Sequence, residues 1–427
     1  MRILAIALAF CLTAAVSAQE SRPAAPTGPV PTQAEVDAAI LKGATILVNL
    51  QESYSDEGNP ARAGQYPKLK TAEARFAHDE KVRGWITGKK TAASAEWPYE
   101  GVYREKNVIP PGYRVGGTAI SCLALLATPG LNEDAARRAS FDRGVAFVMN
   151  ELEKNPDLFA GFSSTYDVRG WAHTYGLELC LTALEAKALK PDIALRAERL
   201  SKTLVKVLQE TEIKQSGGWN YARRRGYEKP TPASPFMTAP TLLVLFRAKT
   251  HGISLDTGVV ERALKTIEDA RLSNDAFQYS TNPERRTTTG GDDVPAACAR
   301  MAVSETALHL AGRGSVERIR KAVDAFFAHW GELDVRRRQS GTHIPPFMIA
   351  PYYFHYGHRY VAMAIEQLPE KDRPALRERL RATYWKTREL DGGWNDREFV
   401  RSESYGTAMA ILGLSEPNRS TPSSWKQ

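Results

Sequence analysis

Thr118-Ala-Ile-Ser-Cys-Leu-Ala-Leu125 and Thr407-Ala-Met-Ala-Ile-Leu-Gly-Leu414 are the two stretches that decide the fold of this chain. They match at almost every position, although they lie far apart in the sequence. Both consist of small and apolar residues and contain no charged side chain. A helix that is apolar on most of its faces has to be buried. The match therefore predicts a buried helix that is repeated along the chain.

Further copies of this apolar pattern lie between the two stretches. Residues 176–183, 238–245 and 358–365 fit the same frame, and a sixth copy falls within residues 294–312. Successive copies are about 50 to 60 residues apart, a period typical of repeat architectures. Amphipathic segments with charged outer faces alternate with these copies, at residues 36–51, 133–154, 192–213, 257–272, 316–333 and 373–390.

Six apolar helices and six amphipathic helices can bury their apolar surfaces against each other in a ring. The apolar set lies inside and the amphipathic set covers it, because each amphipathic helix has one apolar stripe to bury. The sequence therefore predicts an all-α protein, an α/α toroid of about six helix hairpins, over residues 35–415. The loops that lead into the inner helices should gather at one end, where a ligand site is expected.

The two ends of the chain read differently from the repeats. Arg2, an apolar run and the small residues Val16-Ser17-Ala18 predict a signal peptide over residues 1–18, with cleavage after Ala18. Residues 19–34 read as a flexible Pro-rich lead-in, and residues 416–427 as a polar C-terminal tail. We expect a secreted or periplasmic protein with no transmembrane segment after the signal is removed.

The composition and charge of the chain limit the kinds of partner that it can bind. The net charge is +8, with 43% apolar and 25% charged residues, which is ordinary for a globular domain. The basic balance permits peripheral contact with a membrane or a polyanion, for example at Arg223-Arg224-Arg225. No nucleic-acid-binding module is found, so no nucleic acid is expected. Cys122 and Cys180 fall at matching positions of two repeats and are expected to be small buried packing residues.

Two loops carry a family signal. Gly217-Gly218-Trp219 and Gly392-Gly393-Trp394 each follow a charged helix and precede an apolar one. The glycines are suited to end a helix, and the tryptophan to pack against the next pair. With the Thr-Ala-rich helices, these loops resemble the repeats of the squalene cyclase and protein prenyltransferase superfamily.

The resemblance implies two possible chemistries. Squalene cyclases protonate a polyene with an acidic motif before an inner helix, which Asp292 and Asp293 would supply here, although Gly290 replaces the first Asp. The plain alternative is that both carboxylates cap the following helix. Prenyltransferases bind zinc, which would fall to Asp293, Cys298 and His355. That ligand spacing is broken, so we expect no cofactor and keep zinc as a minor possibility.

One stretch has an unusual composition. Tyrosines and histidines are concentrated at the start of the fifth apolar helix, and Trp171 and His173 lie at the start of the second. They are expected either to pack in the core or to line the mouth of the barrel and bind a lipid or a glycan. The candidate ligand-binding residues are Tyr353, His355, Tyr356, His358, His173 and Trp171.

Three functions remain open from the sequence. The first, and the one preferred at this point, is an exported toroid that binds a ligand or partner, whether or not it is an enzyme. The second is a terpenoid cyclase-like enzyme acting on a polyprenyl chain. The third is a polysaccharide lyase or glycosidase-like enzyme built on six α/α hairpins, in which Tyr356 or His358 could act as the base of a lyase.

Overall fold

The computed structural model describes residues 28–52, 72–86, 93–100, 109–156, 158, 168–220, 232–281, 291–337, 345, 347, 353–397, 399–420 and 423–426. Within these ranges it contains fourteen α-helices and, as extended structure, two isolated bridges. The helices are α1 (Gln33–Leu50), α2 (Ala72–Ile86), α3 (Pro111–Ala127), α4 (Ala135–Lys154), α5 (Arg169–Glu185), α6 (Pro191–Glu210), α7 (Pro235–Thr250), α8 (Thr257–Asp269), α9 (Val294–Leu310), α10 (Val316–Ala328), α11 (Trp330–Arg337), α12 (Tyr353–Ile365), α13 (Arg373–Lys386) and α14 (Glu403–Leu414).

Six of these helices form a closed inner ring. Helices α3, α5, α7, α9, α12 and α14 pack on each other in that order, and α14 packs back on α3. Helices α4, α6, α8, α10 and α13 cover the ring, each against the inner helix that precedes it, and α1 covers α14. The predicted α/α toroid is confirmed. Helices α2 and α11 are additions that the repeat pattern did not predict.

The sequence of an outer helix shows why it lies outside. In α6, Leu200, Leu204 and Leu208 are buried, whereas Lys202 and Lys206 are exposed. The three leucines are four residues apart and therefore share one face of the helix. Burying that stripe against α5 fixes the orientation of the outer helix.

The chain direction gives the barrel two distinct ends. Each inner helix from α3 to α12 is joined to the next outer helix by a short connection, so the two run antiparallel. Residues in the first turns of different inner helices also contact each other, as Trp171 of α5 does with Tyr113 of α3 and Tyr405 of α14. The inner helices therefore start at the same end. We call it the front end, and the end where the inner helices finish the rear end.

A recurring tryptophan locks outer and inner helices together. The indole N–H of Trp219 donates to the carbonyl of Leu208 near the end of α6, at 2.9 Å. Its backbone N–H donates to Thr238 Oγ1 on α7, also at 2.9 Å. The same two bonds recur at Trp97, with Leu47 and Thr118, and at Trp394, with Tyr384 and Thr407. The Gly-Gly-Trp loops thus have a structural role in building the toroid.

The structure describes residues near the C-terminus of the chain but not those at its N-terminus. Residues 1–18, predicted as a signal peptide, lie outside the described ranges. Within those ranges no helix is both long enough and apolar enough to cross a bilayer. At the other terminus, the backbone N–H of Trp425 donates to the Leu310 carbonyl at 3.0 Å. Part of the predicted polar tail therefore lies against the rear end of the barrel.

Candidate functional site

Aromatic rings fill the barrel axis at the front end. Trp171, in the first turn of α5, lies at their centre and is 1% exposed. The rings around it come from α3, α5, α7, α14 and the segment before α3, with centroids 5.5–6.0 Å from the Trp171 ring: Tyr99, Tyr113, Tyr175, Phe236 and Tyr405. We call these six residues the axial aromatic cluster. Such a wall offers apolar faces with phenol and indole groups as polar handles.

A buried carboxyl group adjoins this cluster. Asp396 follows the second Gly-Gly-Trp loop and is fully buried. Its Oδ2 accepts a hydrogen bond from the Tyr99 hydroxyl at 3.2 Å, and its Oδ1 accepts one from the backbone N–H of His355 at 3.1 Å. Burial raises the pKa of Asp396 to about 7, although these two bonds and the charge of Arg397 oppose the rise. A carboxyl group of this kind can donate or accept a proton near neutral pH.

Two polar atoms in the cluster have no hydrogen-bond partner among the described residues. They are the indole Nε1 of Trp171 and the hydroxyl of Tyr405. Tyr405 stacks on Tyr99 with ring centroids 4.1 Å apart. Burial, followed by the nearby Asp396, raises the pKa of Tyr405 well above its ordinary value, so its phenol stays neutral. Buried polar groups are usually bonded, so these two groups are the ones in the cluster that are free to bind a ligand or a water molecule.

Two of the residues predicted from sequence lie in or beside the axial aromatic cluster. Trp171 is its centre, and the Tyr356 ring packs on Phe236 with centroids 4.2 Å apart. The Tyr356 hydroxyl donates to the Phe236 carbonyl at 2.7 Å, so its proton is already in use. Tyr353 is the first residue of α12, and its side chain lies outside the described part of the structure.

The three predicted histidines, His173, His355 and His358, are buried. His173 Nε2 lies 2.8 Å from the Pro156 carbonyl. His358 Nδ1 donates to the Phe354 carbonyl at 2.7 Å, and its Nε2 accepts from the Trp330 indole at 2.9 Å. Burial lowers the pKa of His358 to about 3.

His355 is likewise buried, and it is placed differently from His358. Burial, followed by the proximity of His358, lowers the pKa of the His355 imidazole well below its usual range. Its ring stacks on Tyr384 with centroids 6.4 Å apart. The part of His355 that reaches the site is its backbone N–H, which binds Asp396.

The predicted acidic and metal-binding residues lie around the start of α9. Asp292 Oδ1 accepts the backbone N–H of Tyr279 at 2.7 Å, which ties down the preceding loop. Asp293 is the N-cap residue of α9, but its side chain makes no capping bond. Cys298 is buried, burial raises its pKa to about 12, and its Sγ lies 3.4 Å from the Pro295 carbonyl. Among the described residues no three His, Cys, Asp or Glu side chains gather where a metal ion could bind.

Sequence reasoning missed the residues that the structure brings together. Asp396, Tyr99 and Tyr405 were not predicted as site residues. One signal was present, because the first Gly-Gly-Trp-Asn loop continues with Tyr221 and the second with Asp396. A carboxylate at a repeated position where the other copy has an aromatic residue is a departure from the structural pattern.

Comparison with known proteins gives a fold and no family. No family model matches the chain, and no curated protein matches it. An unsaturated glucuronyl hydrolase from Streptococcus agalactiae is 11% identical, with 92% of this chain and 94% of that chain covered at a TM-score of 0.52. The unsaturated glucuronyl hydrolase of Bacillus sp. GL1 is 15% identical, with 77% and 93% covered at 0.49. A D-mannose isomerase is 11% identical, with 83% and 100% covered at 0.48.

These comparisons correct the family expected from the sequence. The assignment to the squalene cyclase and prenyltransferase superfamily is wrong, since almost the whole chain aligns with an unsaturated glucuronyl hydrolase, an (α/α)6 toroid. The physical reason lies in the motif itself. Bonds such as those of Trp219 to Leu208 and Thr238 close an α/α hairpin, so the loops report the geometry of a toroid and not its chemistry. At such low identity the likeness to the Streptococcus agalactiae hydrolase establishes the (α/α)6 fold alone.

Proposed function

We propose that this protein is a glycosidase-like enzyme that cleaves a glycan at the front end of its barrel. One observation carries the proposal: Asp396, a buried carboxyl group with a pKa of about 7, lies against an aromatic wall that holds two unpartnered polar atoms. The likeness to a glucuronyl hydrolase fold supports the proposal by analogy.

The residues fit the chemistry of glycosidic cleavage. A general acid must protonate the leaving oxygen while positive charge develops on the sugar ring. Asp396 supplies the acid, because burial keeps a large part of it protonated near pH 7. Its proton goes to the leaving oxygen as the glycosidic C–O bond breaks, while a water molecule adds to the sugar carbon and its released proton restores the acid. The axial aromatic cluster beside Asp396 supplies π-electron density of the kind that stabilises a developing positive charge. The free N–H group of Trp171 and O–H group of Tyr405 can bind sugar hydroxyls.

Three hydrogen bonds favour hydrolysis over elimination. A lyase needs a base that removes a proton next to a uronate, and the sequence offered Tyr356 or His358 for that task. The Tyr356 hydroxyl donates to a backbone carbonyl, and both nitrogens of His358 are bonded within the core. Neither side chain is available as a base.

The test is a substrate panel with two readouts. The full chain would be incubated with neutral, uronate-containing and unsaturated-uronyl oligosaccharides, while reducing ends and the ultraviolet absorbance of unsaturated uronates are followed. Hydrolysis of a saturated bond raises reducing ends only, and hydrolysis of an unsaturated uronyl group lowers the absorbance. A rise in absorbance indicates elimination and contradicts the proposed role of Asp396. Absence of cleavage across the panel overturns the proposal.

Two narrower statements belong to the same proposal. Acid-assisted cleavage needs only the protein's own groups, so we propose that it requires no cofactor; a chelator should leave the rate unchanged. We also propose export, on the strength of residues 1–18, as expected for an enzyme whose substrate is a polysaccharide outside the cell. N-terminal sequencing of protein recovered outside the cytoplasm should start at Gln19.

A further inference from the structure

A second cluster of functional groups lies on the barrel axis, at the rear end. Three arginines and two glutamates surround a cavity of about 30 Å³ there, with Tyr360 and Ser420 among its other lining residues. A single water needs roughly 10–15 Å³ on this measure, so the cavity has room for a small guest and not for a sugar. The charged lining residues are Glu178, Arg247, Arg359, Glu416 and Arg419.

The carboxylates are shared among the guanidinium groups. Glu178 Oε1 accepts from Arg359 Nη2 and also lies 3.5 Å from Arg419 Nη2. Burial acts to raise the pKa of Glu178, but Arg359, Arg419 and Arg247 outweigh it and hold that pKa below its ordinary value. Glu178 is therefore an ionised carboxylate with several cations around it.

Arg359 is the group whose bonding is incomplete. Its side chain is 1% exposed, yet its Nε has no partner among the described residues. Its Nη1 faces only the sulfur of Met409, at 3.9 Å. A guanidinium group carries five N–H donors and stays charged in proteins. Apart from Glu178, the described residues give Arg359 no oxygen acceptor, and an under-bonded buried charge is costly.

The other two arginines leave the cavity rich in positive charge. Arg419 Nη1 lies 3.2 Å from Glu416 Oε2, and Arg247 Nη2 lies 3.4 Å from the Ser420 hydroxyl. Burial raises the pKa of Glu416 although Arg419 and Arg359 oppose the rise, which weakens it as a counter-charge. Arg247 also faces Glu185, at 3.7 Å, but that glutamate does not line the cavity.

We propose that this rear cavity binds a small oxyanion, namely inorganic phosphate, sulfate or a free carboxylate, between Arg247, Arg359 and Arg419. Guanidinium groups pair with such anions through parallel N–H···O bonds, which would occupy the donors that Arg359 leaves unused. The side chains of Arg247 and Arg419 are 11% and 12% exposed, so an anion can reach the site from the rear surface. This site is independent of the proposed glycan cleavage.

The test measures anion binding to the full chain at constant ionic strength. Phosphate, sulfate and acetate would be titrated by calorimetry and by thermal unfolding, with sodium chloride as the reference. A saturable rise in unfolding temperature is expected for at least one oxyanion. The response of the three salts separates a phosphate-type from a carboxylate guest. No saturable effect beyond that of chloride overturns the proposal and leaves a water-filled ion-pair cluster.

Three variants should weaken, tighten and leave unchanged the binding of the anion. Arg419→Gln, at a partly exposed position, should weaken binding about tenfold or more, because it removes a charged hydrogen-bond donor. Glu416→Gln should tighten binding several-fold, because it removes a carboxylate that repels the anion. Arg313→Gln is the control, since Arg313 pairs with Glu261 and Glu268 and does not line the cavity. Equal affinity in all three variants contradicts the proposed site even if one of them is less stable.

Discussion

The two ends of the barrel axis are lined by the same inner helices, but they shift the pKa of a buried carboxyl group in opposite directions. On α5, Trp171 and Tyr175 face the front cluster, whereas Glu178 belongs to the rear cavity. Residues spaced by three or four share one helix face, so a single stripe of α5 lines the whole axis. At the front, burial outweighs the nearby Arg397 and raises the pKa of Asp396. At the rear, three arginines outweigh burial and lower the pKa of Glu178. The surroundings, more than burial itself, decide what a buried carboxyl group can do.

Removing the front carboxyl should have the largest effect. Asp396→Asn keeps the shape of the side chain but cannot supply a proton, so cleavage should fall by about 10²–10⁴-fold. Initial rates on the best oligosaccharide of the panel provide the measurement. Asp269→Asn is the matched control, because Asp269 is exposed and pairs with Lys265 on the outer face of α8. A rate in Asp396→Asn close to that of the control would remove Asp396 from the chemistry.

Breaking the rear cluster should instead reduce the free energy of unfolding. Arg359→Met leaves Glu178 without its nearest counter-charge, and losing one partner of a buried ion pair costs on the order of 3–5 kcal/mol. Denaturant titration should show this loss. Arg196→Met, which breaks a pair with Glu153 at the surface, should cost less than about 1 kcal/mol. Similar losses in both variants would show that the rear cluster is no more than a surface ion-pair network.

The front carboxyl should also leave a trace in the pH dependence of stability. The pKa of Asp396 is about 7 in the folded chain and about 3.9 in an unfolded one, so the folded state binds the proton more tightly. Its contribution is complete below the lower value and is lost as the pH rises through the higher one. Between these values Asp396→Asn should gain on the unsubstituted chain by up to about 1.4 kcal/mol per pH unit.

This pH effect is measured as the difference in unfolding free energy between the two proteins at several pH values. A difference that is constant with pH would mean that Asp396 is ionised at the lower end of the range. The same protonation should appear in activity, since an acid with this pKa loses its proton above about pH 7 and the rate should then fall.

A matched pair of tryptophans should give the smallest effect and the finest comparison. Trp394 and Trp171 are both buried, but among the described residues the indole of Trp394 has a partner, the Tyr384 carbonyl at 2.9 Å, and that of Trp171 has none. Trp394→Phe removes this hydrogen bond, although the backbone N–H and the hydroxyl of Thr387 still donate to the same carbonyl. Losing a satisfied bond should cost about 1 kcal/mol more in unfolding free energy than Trp171→Phe, which loses none. Trp171→Phe should instead raise the KM for the glycan. If Trp171→Phe is the more destabilising of the two, its indole is bonded in the folded chain and is not a ligand contact.

The candidate site was only partly predictable, and the residues show why. Trp171 and Tyr356 were predicted to line the barrel mouth because they are aromatic residues at inner-helix starts, and they lie in or beside the axial aromatic cluster. His358 looked like a functional residue, but Trp330, from the unpredicted helix α11, bonds its imidazole. Asp396 looked like a loop residue because its partner Tyr99 is almost 300 residues away in sequence. A pKa set by burial and by distant neighbours has no local sequence signature.

The sequence by itself determined the toroid. Uncharged stretches such as residues 118–125 and 407–414 have to be buried, amphipathic helices have to cover them, and a fixed repeat spacing leaves a ring as the arrangement that does both. These are local properties, set by the period of a helix and the polarity of its faces. The place of the candidate site depends on the tertiary structure, because closing α14 onto α3 brings Tyr405, Tyr99 and Asp396 against Trp171. The charge state of each buried group depends on neighbours that only the closed ring supplies.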